Sequence, residues 1–241
     1  MKRTHLLYSA KNALVLAVLV SVLGMFSFFT FEPQVGQAVT SNNFTVTQQI
    51  TNEISFLVQP ANVTMVSSAG SYIAGLTGGY ATGTTVVSIN TNNTTGYNMT
   101  LRFATNSVPY AMVASSTATN SAYISNYTPT VGGVPDYTWQ DNNSGQSAEF
   151  GYSINASTSA EVAQTFKNNG AACNQPAGSA TADRCWLNPT TTPQTIINST
   201  APNGSSTTTI KFKVAVPSAP SPALPSGYYV ATGTLTAVTN P

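Results

Sequence analysis

The chain has 241 residues, of which 41% are hydrophobic, 10% aromatic and only 6% charged, with a formal net charge of +1. So sparse a charge, with no basic stripe, excludes the electrostatic footprint of nucleic-acid binding. The aromatic and β-branched content excludes a disordered chain, which lacks the apolar surface to fold.

In chain order the first signal is Lys2, Arg3, His5 and Lys11, followed by an apolar run from Ala13 to Phe31. A basic start, an apolar stretch and a small-residue exit at Gly36-Gln37-Ala38 form a secretory signal cleaved after Ala38. Residues 1–38 are therefore read as signal peptide and 39–241 as a single mature domain. The run approaches the ~20 residues that cross a bilayer, so an uncleaved N-terminal membrane anchor is the competing reading. Either way the basic residues stay inside and the remainder is placed outside, extracellular or at the cell surface. No Cys lies near the end of the apolar run, Glu32 lies on the wrong side of it for a prepilin, and Leu224-Pro225-Ser226-Gly227 lacks the Thr of a sortase signal.

Past residue 38 only five basic and six acidic residues remain. Strand patterns are expected at 44–50, 53–58, 62–67 and 84–90, and at 97–103, where Tyr97, Met99, Leu101 and Phe103 alternate with polar neighbours. Further strands are expected at 110–114, at 149–154 with Phe150, Tyr152 and Ile154 on one buried face, at 210–216 with Lys211 and Lys213 on the wet side, and at 227–238. Gly, Asn and Pro separate them, and 70–83 and 105–146 read as long connections or small hairpins. No helical period of ten residues occurs past the N-terminal segment. The expected fold is all-β, an antiparallel sandwich of immunoglobulin-like or jelly-roll-like kind following the N-terminal signal or anchor helix.

Two cysteines, Cys173 and Cys185, read in an exported chain as one disulfide closing a surface loop, worth on the order of 3 kcal/mol. Trp186 is expected to pack on it. The only His is His5, so the mature chain has no imidazole for a zinc site or a Ser-His-Asp triad. Glu53, Asp136, Asp141, Glu149, Glu161 and Asp183 show no spacing that pairs two of them as glycosidase carboxylates. Asp141-Asn142-Asn143-Ser144-Gly145 lacks the later Glu of a calcium loop and reads as an Asx-rich turn. No catalytic residue, cofactor or metal is assigned. Alternation argues against a Lys-Asn crosslink, since both Lys211 and Lys213 face water and a nucleophilic amine needs burial. Asn62, Asn98, Asn126, Asn155 and Asn198 lie in sequons of the kind a Thr- and Ser-rich chain contains by chance.

The aromatic group Tyr123, Tyr127, Tyr137 and Trp139 is the candidate contact surface, for a polysaccharide or a protein partner. Its competing role is to cap the open end of the sandwich core.

Thr91-Asn92-Asn93-Thr94-Thr95-Gly96-Tyr97 and the run from Pro225 to Ala237, with Tyr228, Tyr229, Thr232, Gly233 and Thr236, resemble patterns of secreted bacterial surface β-sandwich proteins. They are broadly similar to the WxL-type cell-surface family. No Trp-x-Leu is present, since Trp139 precedes Gln140-Asp141 and Leu187 follows Trp186 directly. The resemblance thus implies location and architecture, and no wall-binding residue is carried over. The expected function is an exported, non-enzymatic structural or adhesive surface protein meeting cell-envelope components, other surface proteins or further copies of itself, the last through edge addition by residues 44–50. A carbohydrate-binding module using Tyr137 and Trp139 is the alternative.

Overall fold

The structure is a computed structural model that describes residues 12–23, 45, 47–67, 73–104, 109–115, 122–140, 147–202 and 206–241. The chain divides into two compact units, Met1–Gln49 and Ile50–Pro241. In the first, 12–23 is helical and exposed. Among the described residues no helix is long and apolar enough to cross a membrane. The cleavage motif Gly36-Gln37-Ala38 and Phe44 lie outside the described residues. Among the described residues, 47–50 carry no strand pairing, which corrects that part of the strand expected at 44–50.

The second unit contains β1 (Ile54–Val58), β2 (Val66–Ser67), β3 (Gly79–Thr91), β4 (Tyr97–Phe103), β5 (Met112–Ala114), β6 (Tyr123–Asn126), β7 (Glu149–Ala156), β8 (Gln194–Ser199), β9 (Thr207–Val216), β10 (Tyr229–Ala231) and β11 (Gly233–Thr239). Eight strands form a large sheet in the order β1-β3-β9-β7-β6-β5-β10, with β2 beside β3, and β11-β4-β8 form a small one. The two sheets pack face to face, an all-β sandwich. One pair departs from the antiparallel expectation: β6 runs parallel to β7, joining Ser125 to Glu149 and Asn126 to Phe150.

Between the sheets lie the inward rows that period-two alternation produces. Tyr97, Met99, Leu101 and Phe103 of β4 meet Val87 and Ile89 of β3, Phe150, Tyr152 and Ile154 of β7, and Ile210 and Val214 of β9. Phe103 joins the layers most directly. Its ring centroid lies 5.8 Å from that of Phe150, 5.5 Å from Tyr152 and 6.4 Å from Phe212.

β8 went unread in the sequence because its apolar residues are adjacent. Met99 pairs with Ile197 but Thr100 pairs with Thr195, so Ile196 is the extra residue of a bulge. Both isoleucines are thereby buried. The outer edge of β8 is closed by Val162, which bridges to Ile197, and by the Ala163 amide, which donates to the Ile196 carbonyl. The run expected as one strand at 227–238 divides at Thr232, whose carbonyl accepts from the Ala104 amide. β10 thus belongs to the large sheet and β11 to the small one. At 62–67 only Val66 and Ser67 pair, whereas β3 begins at Gly79, inside the stretch expected as a connection.

The Thr91-to-Tyr97 motif is a tie between strands. Asn92 Oδ1 accepts from the Glu53 amide and Asn92 Nδ2 donates to Thr51, holding the approach to β1. Asn93 Nδ2 donates to the carbonyls of Gly96 and Asn240, holding the far end of β11. Gly96 has φ +84, and a Cβ there would strike the Ser199 carbonyl, so only glycine fits.

Tyr97 is fully buried, and its hydroxyl has no hydrogen-bond partner among the described residues. Burial, reinforced by the charge of Glu161, pushes that hydroxyl from 10.0 up to about 12. The folded state therefore holds this proton more tightly than the unfolded chain. Titration of Tyr97 leaves stability untouched below pH 10 and lowers it as pH rises from there through 12. Tyr97→Phe removes an unpaired buried polar group. It is expected to raise stability by about 1 kcal/mol at neutral pH and to flatten the alkaline loss, read from urea midpoints at neutral pH and within that window. A destabilised variant with an unchanged alkaline slope would show that the hydroxyl is bonded.

Candidate functional site

The aromatic residues singled out in the sequence divide into two groups. Tyr123 on β6 stacks on Tyr110, with ring centroids 4.1 Å apart and planes 16° apart. Tyr127, Tyr137 and Trp139 lie in the segment after β6, which crosses β7 where Tyr127 and Trp139 close over Gly151 and Tyr137 packs against the main core cluster.

That crossing is set by β7. Its residues are buried on both faces, not on one as alternation suggested. Phe150, Tyr152 and Ile154 face the sandwich core, while Glu149, Gly151 and Ser153 are covered from outside. A Cβ on Gly151 would come within 2.9 Å of Tyr127 Cβ and 3.0 Å of both Trp139 Cζ3 and the Leu187 carbonyl. The cover therefore rests on bare backbone, the usual reason for a glycine inside a strand.

Five hydrogen bonds fix the cover. The Tyr127 hydroxyl donates to Asp136 Oδ2 at 2.5 Å and accepts from the Gln140 amide at 3.1 Å. Burial first, and then the Asp136 hydrogen bond, push the Tyr127 hydroxyl far above its ordinary range. Asp136 pairs with Trp186 through two backbone hydrogen bonds, and the Cys185 amide donates to the Tyr137 carbonyl. The 183–187 segment thus extends the cover begun by 127–140. Trp139 lies 4.2 Å from Tyr127 and 5.3 Å, edge-on, from Trp186, between ring centroids.

Lys213 projects from β9 into this cluster, directly opposite Gly151. Its amine lies 4.7 Å from the Trp139 ring centroid, 5.2 Å from Tyr80 and 6.0 Å from Trp186, within the range of cation–π attraction. Lys211 forms an ion pair with Asp183, and the Arg184 guanidinium lies 5.0 Å over Tyr137. The wet side expected for the two lysines is thus a partly covered face, and both amines have partners on the cover.

The disulfide is present between Cys173 and Cys185. Contrary to a purely superficial loop, both cysteines are buried in the main core cluster. A formed disulfide is the covalent state of an oxidising compartment and so of a non-cytoplasmic fold. The ring contact of Trp186 is with Trp139. Asp141–Gly145 lies outside the described residues, and among those described no group of three or more His, Cys, Asp and Glu could hold a metal ion.

Chemically the cluster holds a loop onto a sheet. Asp136 is engaged by Tyr127 and by the Thr130 amide, and Glu149, only 2% exposed, sits beneath the cover. With a ring and a cation both within 5 Å of its centroid, Trp139 has little face to offer a ligand. Sequence reasoning missed Tyr80, Gly151 and Lys213; the interior glycine was the one local signal of the close approach. Comparison with known proteins returned no matching family model, no matching curated sequence and no matching solved structure.

Proposed function

We propose that this chain is an exported, non-enzymatic cell-surface protein of structural or adhesive kind. The observation that carries this reading is how the polar groups on the covered face are used. Asp136, Asp183, Lys211 and Lys213 hold the cover in place, a use that favours durability over turnover. The buried disulfide supports an oxidising location outside the cytoplasm, and the basic start followed by an apolar run supports export. The resemblance to secreted surface sandwiches supports the same setting.

Self-association is part of the proposal. Among the described residues, 47–50 are without strand pairing and β1 pairs with β3 alone, while Ile50 is 81% exposed and β1 displays Leu57 and Val58. An uncharged segment with strand-forming residues and an uncharged edge strand are the two parts that β-augmentation between copies requires. Sedimentation of the full chain at rising concentration, with hydrogen exchange on 47–50, tests it. Concentration-dependent oligomers that protect 47–50 are expected. A monomer at every concentration with 47–50 exchanging freely would remove self-association.

A further inference from the structure

A second aromatic surface lies at the other end of the large sheet, away from the Trp139 cover. Val113 on β5 pairs with Tyr123 on one side and with Val230 on the other, so these three side chains form a row across β6, β5 and β10. The alternate row, Met112, Ile124 and Ala231, packs on the core. The Tyr123 row therefore faces outward.

Tyr110 extends the row by stacking on Tyr123. Tyr228, two residues before Val230 and on the same side by alternation, is held in line by its carbonyl, which accepts from the Ser115 amide. Tyr228 is 85% exposed and Val230 50% exposed, while Tyr110 and Tyr123 are half-buried and Val113 between them is buried. Tyr229, between them, points inward, and its hydroxyl donates to the Pro225 carbonyl.

Three features select the occupant. First, the described segments 109–115, 122–135 and 217–241, which supply the strip, contain no Asp, Glu, Lys or Arg. A charged polymer, an acidic or basic peptide or a lipid headgroup finds no counter-charge here, whereas a neutral polymer loses nothing by desolvation. Second, β10 has three residues and is approached through Pro217, Pro220, Pro222 and Pro225, which blunts it for edge pairing with another strand. Contact falls to the side chains. Third, four side chains bury at most several hundred Å², short of the ~800 Å² per partner of a stable protein interface. A narrow ligand that lies on two or three rings and bonds to their hydroxyls is matched to this area.

We propose that the outer face of β6, β5 and β10, through Tyr110, Tyr123, Tyr228 and Val230, binds a neutral polysaccharide strand. The inference rests on the adhesive reading and names its partner class and its site. Tyr228 and Val230 stand exposed where Trp139 is faced by Tyr127 and Lys213, which places the sugar contact on residues other than Tyr137 and Trp139.

The test is retention of the full chain on microcrystalline cellulose, chitin and a neutral galactomannan gel, with alginate as the acidic arm, at low and high salt. Saturable, salt-insensitive retention by a neutral polymer is expected, weakened about tenfold in Tyr228→Ala and further in Tyr123→Ala. Val66→Ser, at an exposed apolar residue on β2 beside β3, retains full binding. Because Tyr228 is so exposed, its variant keeps the parent melting temperature, which separates lost binding from lost folding. No retention by any neutral polymer, equal retention by Tyr228→Ala, or retention only by alginate at low salt would overturn the glycan contact. If cell attachment or self-assembly persisted in those cases, the adhesive reading would stand without it. Their absence as well would remove both.

Discussion

Phe103→Ala is expected to cost about 4 kcal/mol, the largest single effect in the molecule. Phe103 is the side chain of the small sheet that meets three rings of the large one, Phe150, Tyr152 and Phe212. Truncation removes its transfer free energy and leaves a cavity between two sheets that cannot close on it, because each is held by its own ladder. Against a total stability of roughly 5–15 kcal/mol the loss is severe. Urea midpoints measure it, and Phe103→Leu should recover about half. A cost below about 1 kcal/mol would mean that the sheets are not joined through this ring.

The second large effect concerns the disulfide. Replacing Cys173 and Cys185 together by alanine opens a loop of sequence separation 12 and is expected to cost on the order of 3 kcal/mol through the freer unfolded chain. The denaturant slope should rise as well, since the unlinked unfolded state exposes more surface. A local consequence distinguishes this from simple destabilisation. Cys185 directly precedes Trp186, which carries one side of the outer cover, so near-ultraviolet Trp dichroism should weaken while far-ultraviolet strand signal persists. Unchanged stability and unchanged Trp signal would contradict the assignment of a structural role.

Much of the fold was legible where one face of a strand meets the core and the other meets water. β4 follows its sequence alternation residue for residue, and β9 nearly so. Legibility failed where that premise failed. β8 hides its periodicity behind the bulge at Ile196, and the early part of β3 is masked by Gly78, Gly79 and Gly83, which read as loop. β7 alternates correctly but is covered on both sides, which no local pattern records. At 44–50 alternation is present, yet the described part, 47–50, has no strand pairing among the described residues.

The site was partly legible for the same reason. The density of aromatics between 123 and 139 pointed to the right segment, and Tyr127 and Trp139 do come together. Lys213 reaches them from a strand more than 70 residues later through the β7–β9 register. Val230 is brought into the row of Tyr123 through two successive strand pairings. Long-range pairing of this kind leaves no trace in a window of neighbouring residues.

The division of the chain at Thr232 also sets an order of events. β4 takes its pairing on one side entirely from β11, from Gly233 opposite Phe103 to Thr239 opposite Tyr97, and Asn93 is tied to Asn240 across a separation of 147 residues. Contacts this distant in sequence form late, because loop closure must precede any reward from pairing. Until β11 arrives, the inward ring row of β4 belongs to an unfinished sheet with an open edge and exposed apolar surface. The vulnerable period is therefore the wait for one strand, and whatever delays β11 lengthens the time in which the chain is prone to aggregate.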